Sequence, residues 1–208
     1  MDLKLADKTA LVSGSTKGIG FAIATGLARE GARVIVNGRS EKAVAEAKQH
    51  IIQTQADARI ESFAGDLSTA AATETLLQRF PLVDILVNNL GIFEAKPFED
   101  ISDEDWRRFF EVNVLSGVRL SRAYLPGMKQ RNWGRIVFIS SESAINTPAE
   151  DDPIRHDEDR AACCFARPCR ILCRHSSHGE CGVARSNPFR RRGRICGTVE
   201  RWQTICRI

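Results

Sequence analysis

Four times before position 131 a short apolar run gives way to a stretch with apolar residues at helical spacing. Thr9 to Ser13 (TALVS) precedes a helix over Ile19 to Glu30, which Gly31 stops. Ala32 to Asn37 (ARVIVN) precedes a helix from about Glu41 to Gln55, and ARIESFA precedes one from about Thr69 to Phe80. VDILVNN precedes a long helix that starts near Ser102 and runs from about Asp105 to Arg131, and Arg135 to Ser141 (RIVFISS) is a fifth strand. Strands joined by crossover helices run parallel and are covered on both faces, which accounts for their near-continuous apolar character. Residues 1–150 therefore read as one α/β domain, a doubly wound parallel sheet of about five strands.

The composition breaks at the end of that pattern. All seven cysteines (Cys163, Cys164, Cys169, Cys173, Cys181, Cys196, Cys206) fall in the last 58 residues. Before position 151 there are 18 basic and 19 acidic residues; after it there are 12 arginines, no lysine and 7 acidic residues. The net charge of +4 combines −1 over residues 1–150 with +5 over residues 151–208, so the basic balance says nothing about a nucleic-acid or anionic partner for the first domain. No run reaches the roughly 18 apolar residues of a membrane span, and MDLKLADKTALVSG lacks the basic-apolar-small order of a signal peptide. A cytoplasmic protein with no membrane partner is expected.

Between the first strand and helix lies Gly14-Ser15-Thr16-Lys17-Gly18-Ile19-Gly20. Glycines in such a turn permit positive φ and let the backbone approach a pyrophosphate at a helix N-terminus, although they also serve close packing alone. GxxxGxG is followed by Asn88-Asn89-Leu90-Gly91, then Asn113 in a helix, then Ser140-Ser141 ending a strand. In these four ordered motifs the chain resembles the short-chain dehydrogenase/reductase family over residues 1 to about 150, which implies a Rossmann-type fold and a nicotinamide dinucleotide cofactor. The usual family motif has alanine where this chain has Leu90, a departure that crowds the cofactor side of the fourth strand.

The resemblance implies that Asp66, in the turn Gly65-Asp66-Leu67, contacts the adenine ring, and that Asn88 to Gly91 supports the middle of the cofactor. Helix capping competes as a role for Asp66, and tying neighbouring strands together competes for the asparagines. An acidic residue ending the second strand would hold the ribose hydroxyl of NAD. Here that strand ends Asn37-Gly38-Arg39-Ser40, and Arg39 with Lys17 offers two cations to a 2′-phosphate. NADP(H) is expected, in preference to NAD.

In the family a tyrosine protonates the substrate carbonyl, and a lysine four residues later favours the phenolate of a group that titrates near about 10. By resemblance, Ser141 is the serine that steadies the carbonyl oxygen, with Ser140 beside it, and Asn113 is the asparagine that orders a relay water. The tyrosine and lysine are missing. Tyr124 is the only tyrosine, lies before Ser141, and has Met128 four places on; no lysine follows Lys129.

A shifted reading frame accounts for the tail. Back-translating Asp151 to Asp159 and reading one nucleotide later permits a tyrosine codon across Ile154 and Arg155 and a lysine codon across Glu158 and Asp159. That restores the tyrosine-lysine pair, with the tyrosine 13 positions after Ser141, the family spacing. In the same frame Glu180 to Phe189 permits N-A-V-L-P-G-P-T-R, similar to the family segment after its sixth strand. The tail is then an irregular, largely disordered appendage, the fifth strand is an unprotected edge that invites aggregation, and the chain as written turns over no carbonyl substrate.

Three functions follow in order: a family oxidoreductase acting on a carbonyl or alcohol and homo-oligomeric when intact, a dinucleotide-binding remnant without turnover, and a zinc- or RNA-binding tail. Cys169, Cys173, His175, His178 and Cys181 stand close in sequence before Arg190-Arg191-Arg192, but no paired knuckle frames them. No metal and no nucleic-acid partner is expected.

Overall fold

The computed structural model describes residues 3–94, 98–140, 181–182 and 203–207. Strands β1 (Thr9–Val12), β2 (Arg33–Gly38), β3 (Ile60–Ala64), β4 (Ile85–Asn88) and β5 (Arg135–Ile139) run parallel in the order β3-β2-β1-β4-β5. Helices α1 (Gly18–Arg29), α2 (Glu41–Thr54) and α3 (Ala70–Arg79) make the crossovers. This is the Rossmann-type sheet expected from the alternation of elements, with each helix within about two residues of its sequence-derived limits.

Alternation along the strands divides the core into two. Ala10, Val12, Val34 and Val36 face α1 and α2, where they meet Ala24, Ala28, Val44, Ala47 and Ile51. Leu11, Ile35 and Leu86 point the other way, onto Leu76 and onto Leu120, Tyr124 and Met128. Small residues line the buried face of α1, which lets the helix sit close to the sheet beside the glycine turn. Among the described residues no helix is long and apolar enough to cross a membrane.

The long helix before β5 differs from its expected form. It comprises α4 (Asp103–Phe110), a π-helical turn over Glu111–Leu115, and α5 (Ser116–Gln130). Its start is closed by a capping box: the Ser102 hydroxyl accepts from Asp105 N at 3.2 Å, and the Asp105 carboxylate accepts from Ser102 N at 3.2 Å. Ser102→Ala is expected to lower stability by about 1 kcal/mol in denaturant titration, with the fold unchanged.

The edge of the sheet requires a correction. β5 is not unpaired: Gln203–Arg207 (β7) runs antiparallel to it, Ile136 opposite Cys206 and Ile139 opposite Gln203, and Cys181–Gly182 (β6) pairs with β7 in turn. Unpaired backbone groups on the outer side of β5 accept any extended segment of the chain that reaches them, whatever its sequence. The tail thus adds two strands to the five expected.

Candidate functional site

All five parallel strands end at one edge, and the chain reverses its direction of travel across the sheet between β1 and β4. Ligands of open α/β sheets bind at such a switch point, outside the carboxyl ends of the strands. Residues 14–20 occupy it.

Gly14 and Gly18 have φ of +60°, a region that side chains disfavour. Gly20 meets a different need, since a Cβ there would lie 2.4 Å from the Gly14 carbonyl oxygen and 2.5 Å from Asn89 Nδ2. Ser15 is buried, Thr16 and Ile19 are half-buried, and Lys17 is exposed. Lys17 is the N-cap of α1 yet makes no side-chain cap, and no acidic residue stands in the first turn. The leading N–H groups of α1 are therefore left for an outside acceptor, with the positive end of the helix behind them.

The asparagine pair divides its work. Asn89 Nδ2 donates to Ser13 O at 3.1 Å and to Gly14 O at 3.0 Å, while Asn89 N and Leu90 N both donate to Ser13 Oγ at 3.0 Å. Asn89 is a latch between the end of β4 and the glycine turn. Asn88 is buried and faces the other way, donating from Nδ2 to Ser121 Oγ at 3.3 Å on α5. Leu90 sits against the turn, its Cδ1 3.5 Å from where a Gly14 Cβ would be.

Asn37 performs a role that sequence reading did not assign. Its Oδ1 accepts from Gly14 N at 3.1 Å, its backbone N donates to Ser15 Oγ at 2.9 Å, and its Nδ2 donates to Phe63 O and Gly65 O. One buried amide thus joins the glycine turn to the ends of β2 and β3. The available signal was a polar residue closing the apolar run VIVN, since a buried amide must find partners. Arg39 follows two residues later and is exposed, as Lys17 is. Gly38 between them is pressed by Thr16, whose Cγ2 lies 2.4 Å from the place of a Cβ.

Asp66 is half-buried beyond the end of β3, with Leu67 buried next to it. Its Oδ1 accepts from Ser68 N at 3.0 Å and Ser68 Oγ at 2.7 Å. Capping of α3 falls to Thr69, whose Oγ1 accepts from Ala72 N at 3.2 Å, so helix capping is not what occupies Asp66.

Asn113 lies within the π-helical turn. Its Oδ1 accepts from Ile92 N at 2.7 Å and its Nδ2 donates to Ile92 O at 3.1 Å. Both ends of the side chain are engaged in holding the segment after Gly91. Gly91 faces this clamp, with Asn113 Oδ1 3.5 Å from the place of a Cβ. Ser140 follows β5 and is half-buried; Ser141 lies outside the described residues, as do Cys169, Cys173, His175 and His178.

Tyr124 is packed into the core beneath α5, donating to Phe80 O at 3.0 Å. Burial pushes its phenol well above the usual tyrosine range. A group so placed stays protonated and stands apart from the switch point, so it does not replace the absent acid.

The sequence profile described as short chain dehydrogenase matches residues 8–150. Among curated proteins, the uncharacterized oxidoreductase YvaG of Bacillus subtilis is 53% identical over 145 residues, covering 70% of this chain and 55% of that one. D-beta-hydroxybutyrate dehydrogenase of Cupriavidus necator is 40% identical over 150 residues, covering 70% of this chain and 57% of that one. The chain spans just over half the length of these relatives. Among solved structures, L-sorbose reductase from Gluconobacter frateurii, complexed with NADPH and L-sorbose, superposes with a TM-score of 0.72 at 31% identity, covering 83% of this chain and 66% of that one. A 3-oxoacyl (acyl-carrier-protein) reductase from Agrobacterium tumefaciens with NADP bound gives 0.72 at 32%, covering 82% and 65%. With more than half its length inside the matched profile, the chain belongs to the short-chain dehydrogenase family.

Proposed function

We propose that residues 1–150 are the cofactor-binding part of a cytoplasmic, NADP(H)-dependent oxidoreductase of this family, and that the chain as written binds the dinucleotide without turning over substrate. The observation that carries this reading is the Gly14–Gly20 turn, shaped to clear a backbone approach and held before an uncapped helix N-terminus. Gly14, Ser15, Thr16, Gly18, Ile19 and Gly20 cradle the pyrophosphate. Lys17 and Arg39 receive the 2′-phosphate, Asp66 and Leu67 the adenine, and Asn88, Asn89 and Gly91 support the central part through the latch and the sheet end. The NADPH- and NADP-bound relatives support the choice of cofactor.

When bound, the dinucleotide supplies the hydride. In the intact enzyme Ser141 steadies the substrate oxygen, and Asn113 holds a water for proton delivery. The absence of a tyrosine-lysine pair leaves the chain without an acid to complete the step. A frame shifted near residue 150 is supported by the family profile ending at that residue and by the tyrosine and lysine codons that back-translation permits one base downstream.

Calorimetric titration of the full chain with NADP+ and NAD+ tests the reading, which fails if neither binds. Arg39→Ala is expected to cut the preference for NADP+ over NAD+ by roughly tenfold, the worth of one charge-assisted contact to a phosphate near the surface. An unchanged ratio would place the 2′-phosphate elsewhere.

A further inference from the structure

One arginine joins the two ends of the site. Arg119 projects from α5 and is largely buried, its side chain 19% exposed. Its Nη1 donates to Ser68 O at 2.8 Å, and its Nη2 pairs with the Glu111 carboxylate. Glu111 opens the π-helical turn that contains Asn113, and Arg119 lies beyond that turn's end, so the ion pair spans the turn. Ser68 meanwhile binds Asp66 Oδ1 through both its backbone N and its hydroxyl. These contacts run without a gap from the helix bearing Asn113, through Glu111, Arg119 and Ser68, to the carboxylate of Asp66.

Both hydrogen bonds to the Asp66 carboxylate fall on Oδ1, which leaves Oδ2 as an acceptor. An acceptor facing the six-position of a purine favours an amino group, which donates, and opposes a carbonyl, which presents a second lone pair. Discrimination of this kind requires that the carboxylate be held in one orientation. Thr69 next door donates from Oγ1 to Asp66 O at 2.9 Å, and among the described residues the side chain that holds this main chain from a distant element is Arg119, on Ser68 O.

We propose that Arg119 is a positioning residue: by fixing the Ser68 carbonyl to the helix that carries Asn113, it aims Asp66 at the adenine amino group of the cofactor. The inference rests on the dinucleotide reading above and deepens it, because it makes recognition of the adenine end depend on the same helix that carries the catalytic-end asparagine.

The test is the ratio of affinities of the full chain for NADP+ and for its hypoxanthine analogue, in which the amino group is replaced by a carbonyl. The unaltered chain is expected to favour NADP+ by about tenfold or more, as for one hydrogen bond to a charged group. Arg119→Met is expected to bring that ratio toward one, and Arg119→Lys, which retains a donor to the Ser68 carbonyl, to restore part of it. A residue with a merely structural role would weaken both ligands alike and leave the ratio standing, and that result would overturn the proposal. Should Arg119→Met yield no soluble chain, Glu111→Gln is read by the same ratio, with a fall supporting the proposal and constancy overturning it. If the unaltered chain binds both dinucleotides equally, this inference fails and the cofactor reading survives; if it binds neither, both fail.

Discussion

Removing one nucleotide near codon 150 is expected to yield a chain that consumes NADPH with a carbonyl substrate, where no turnover is expected of the chain as written. The expected gain is at least roughly 10³-fold over the chain as written, because a positioned acid alone contributes about 10²–10⁴-fold and the lysine adds its effect on the acid's pKa. The glycine turn, the asparagine clamp on Ile92 and the strand leading to Ser140 precede the shift and are unchanged by it. NADPH absorbance, followed with a panel of ketones, aldehydes and keto acids, supplies the measurement. Turnover of any of them by the purified chain in its present frame would refute the account, as would codons that encode no tyrosine-lysine pair one base downstream.

Gly20→Ala should abolish dinucleotide binding, weakening it by about a hundredfold or more, while costing roughly 1–3 kcal/mol in stability as an overpacked site does. The added methyl would stand 2.4 Å from one backbone oxygen and 2.5 Å from the Asn89 amide, and neither is the free end of a flexible side chain. Relief requires either the turn or the latch to move, and both define the anion site. Gly26→Ala in the same helix is the control: nothing lies within 4 Å of a Cβ there, so binding should persist and stability rise by up to about 1 kcal/mol from helix propensity. Equal effects of the two substitutions would show that the clash at Gly20 has no bearing on the site.

The elements that could be read from sequence were those whose pattern is local. Val34, Ile35 and Val36 form an apolar run because both faces of β2 are covered, and Gly31 stops α1 at a positive φ of +84°. The glycine turn was legible for the same reason: its spacing alone specifies where backbone conformation is unusual. Features made by residues distant in sequence were not legible. The π-helical turn belongs to a clamp between Asn113 and Ile92, 21 residues apart, and nothing in EVNVL itself departs from an ordinary helical pattern. Asn37 ends an apolar strand pattern, yet its side-chain amide serves partners on two distant segments, the glycine turn and the end of β3. Tyr124 stands before Ser141 in the chain, out of the family's order, and the fold adds that it is a core residue bonded to Phe80. The pairing of β5 with Gln203–Arg207 was missed because a strand edge selects its partner by backbone complementarity, which leaves little trace in side-chain order.

The Asn89 latch and the Asn37 bridge set the shape of the glycine turn through bonds internal to the chain. A ligand entering such a socket has little chain to organise, so most of the contact energy survives as affinity, and capture is governed by collision more than by folding. On the proposed reading, retention of nucleotide is thereby separable from turnover, because neither the latch nor the bridge draws on the missing tyrosine and lysine.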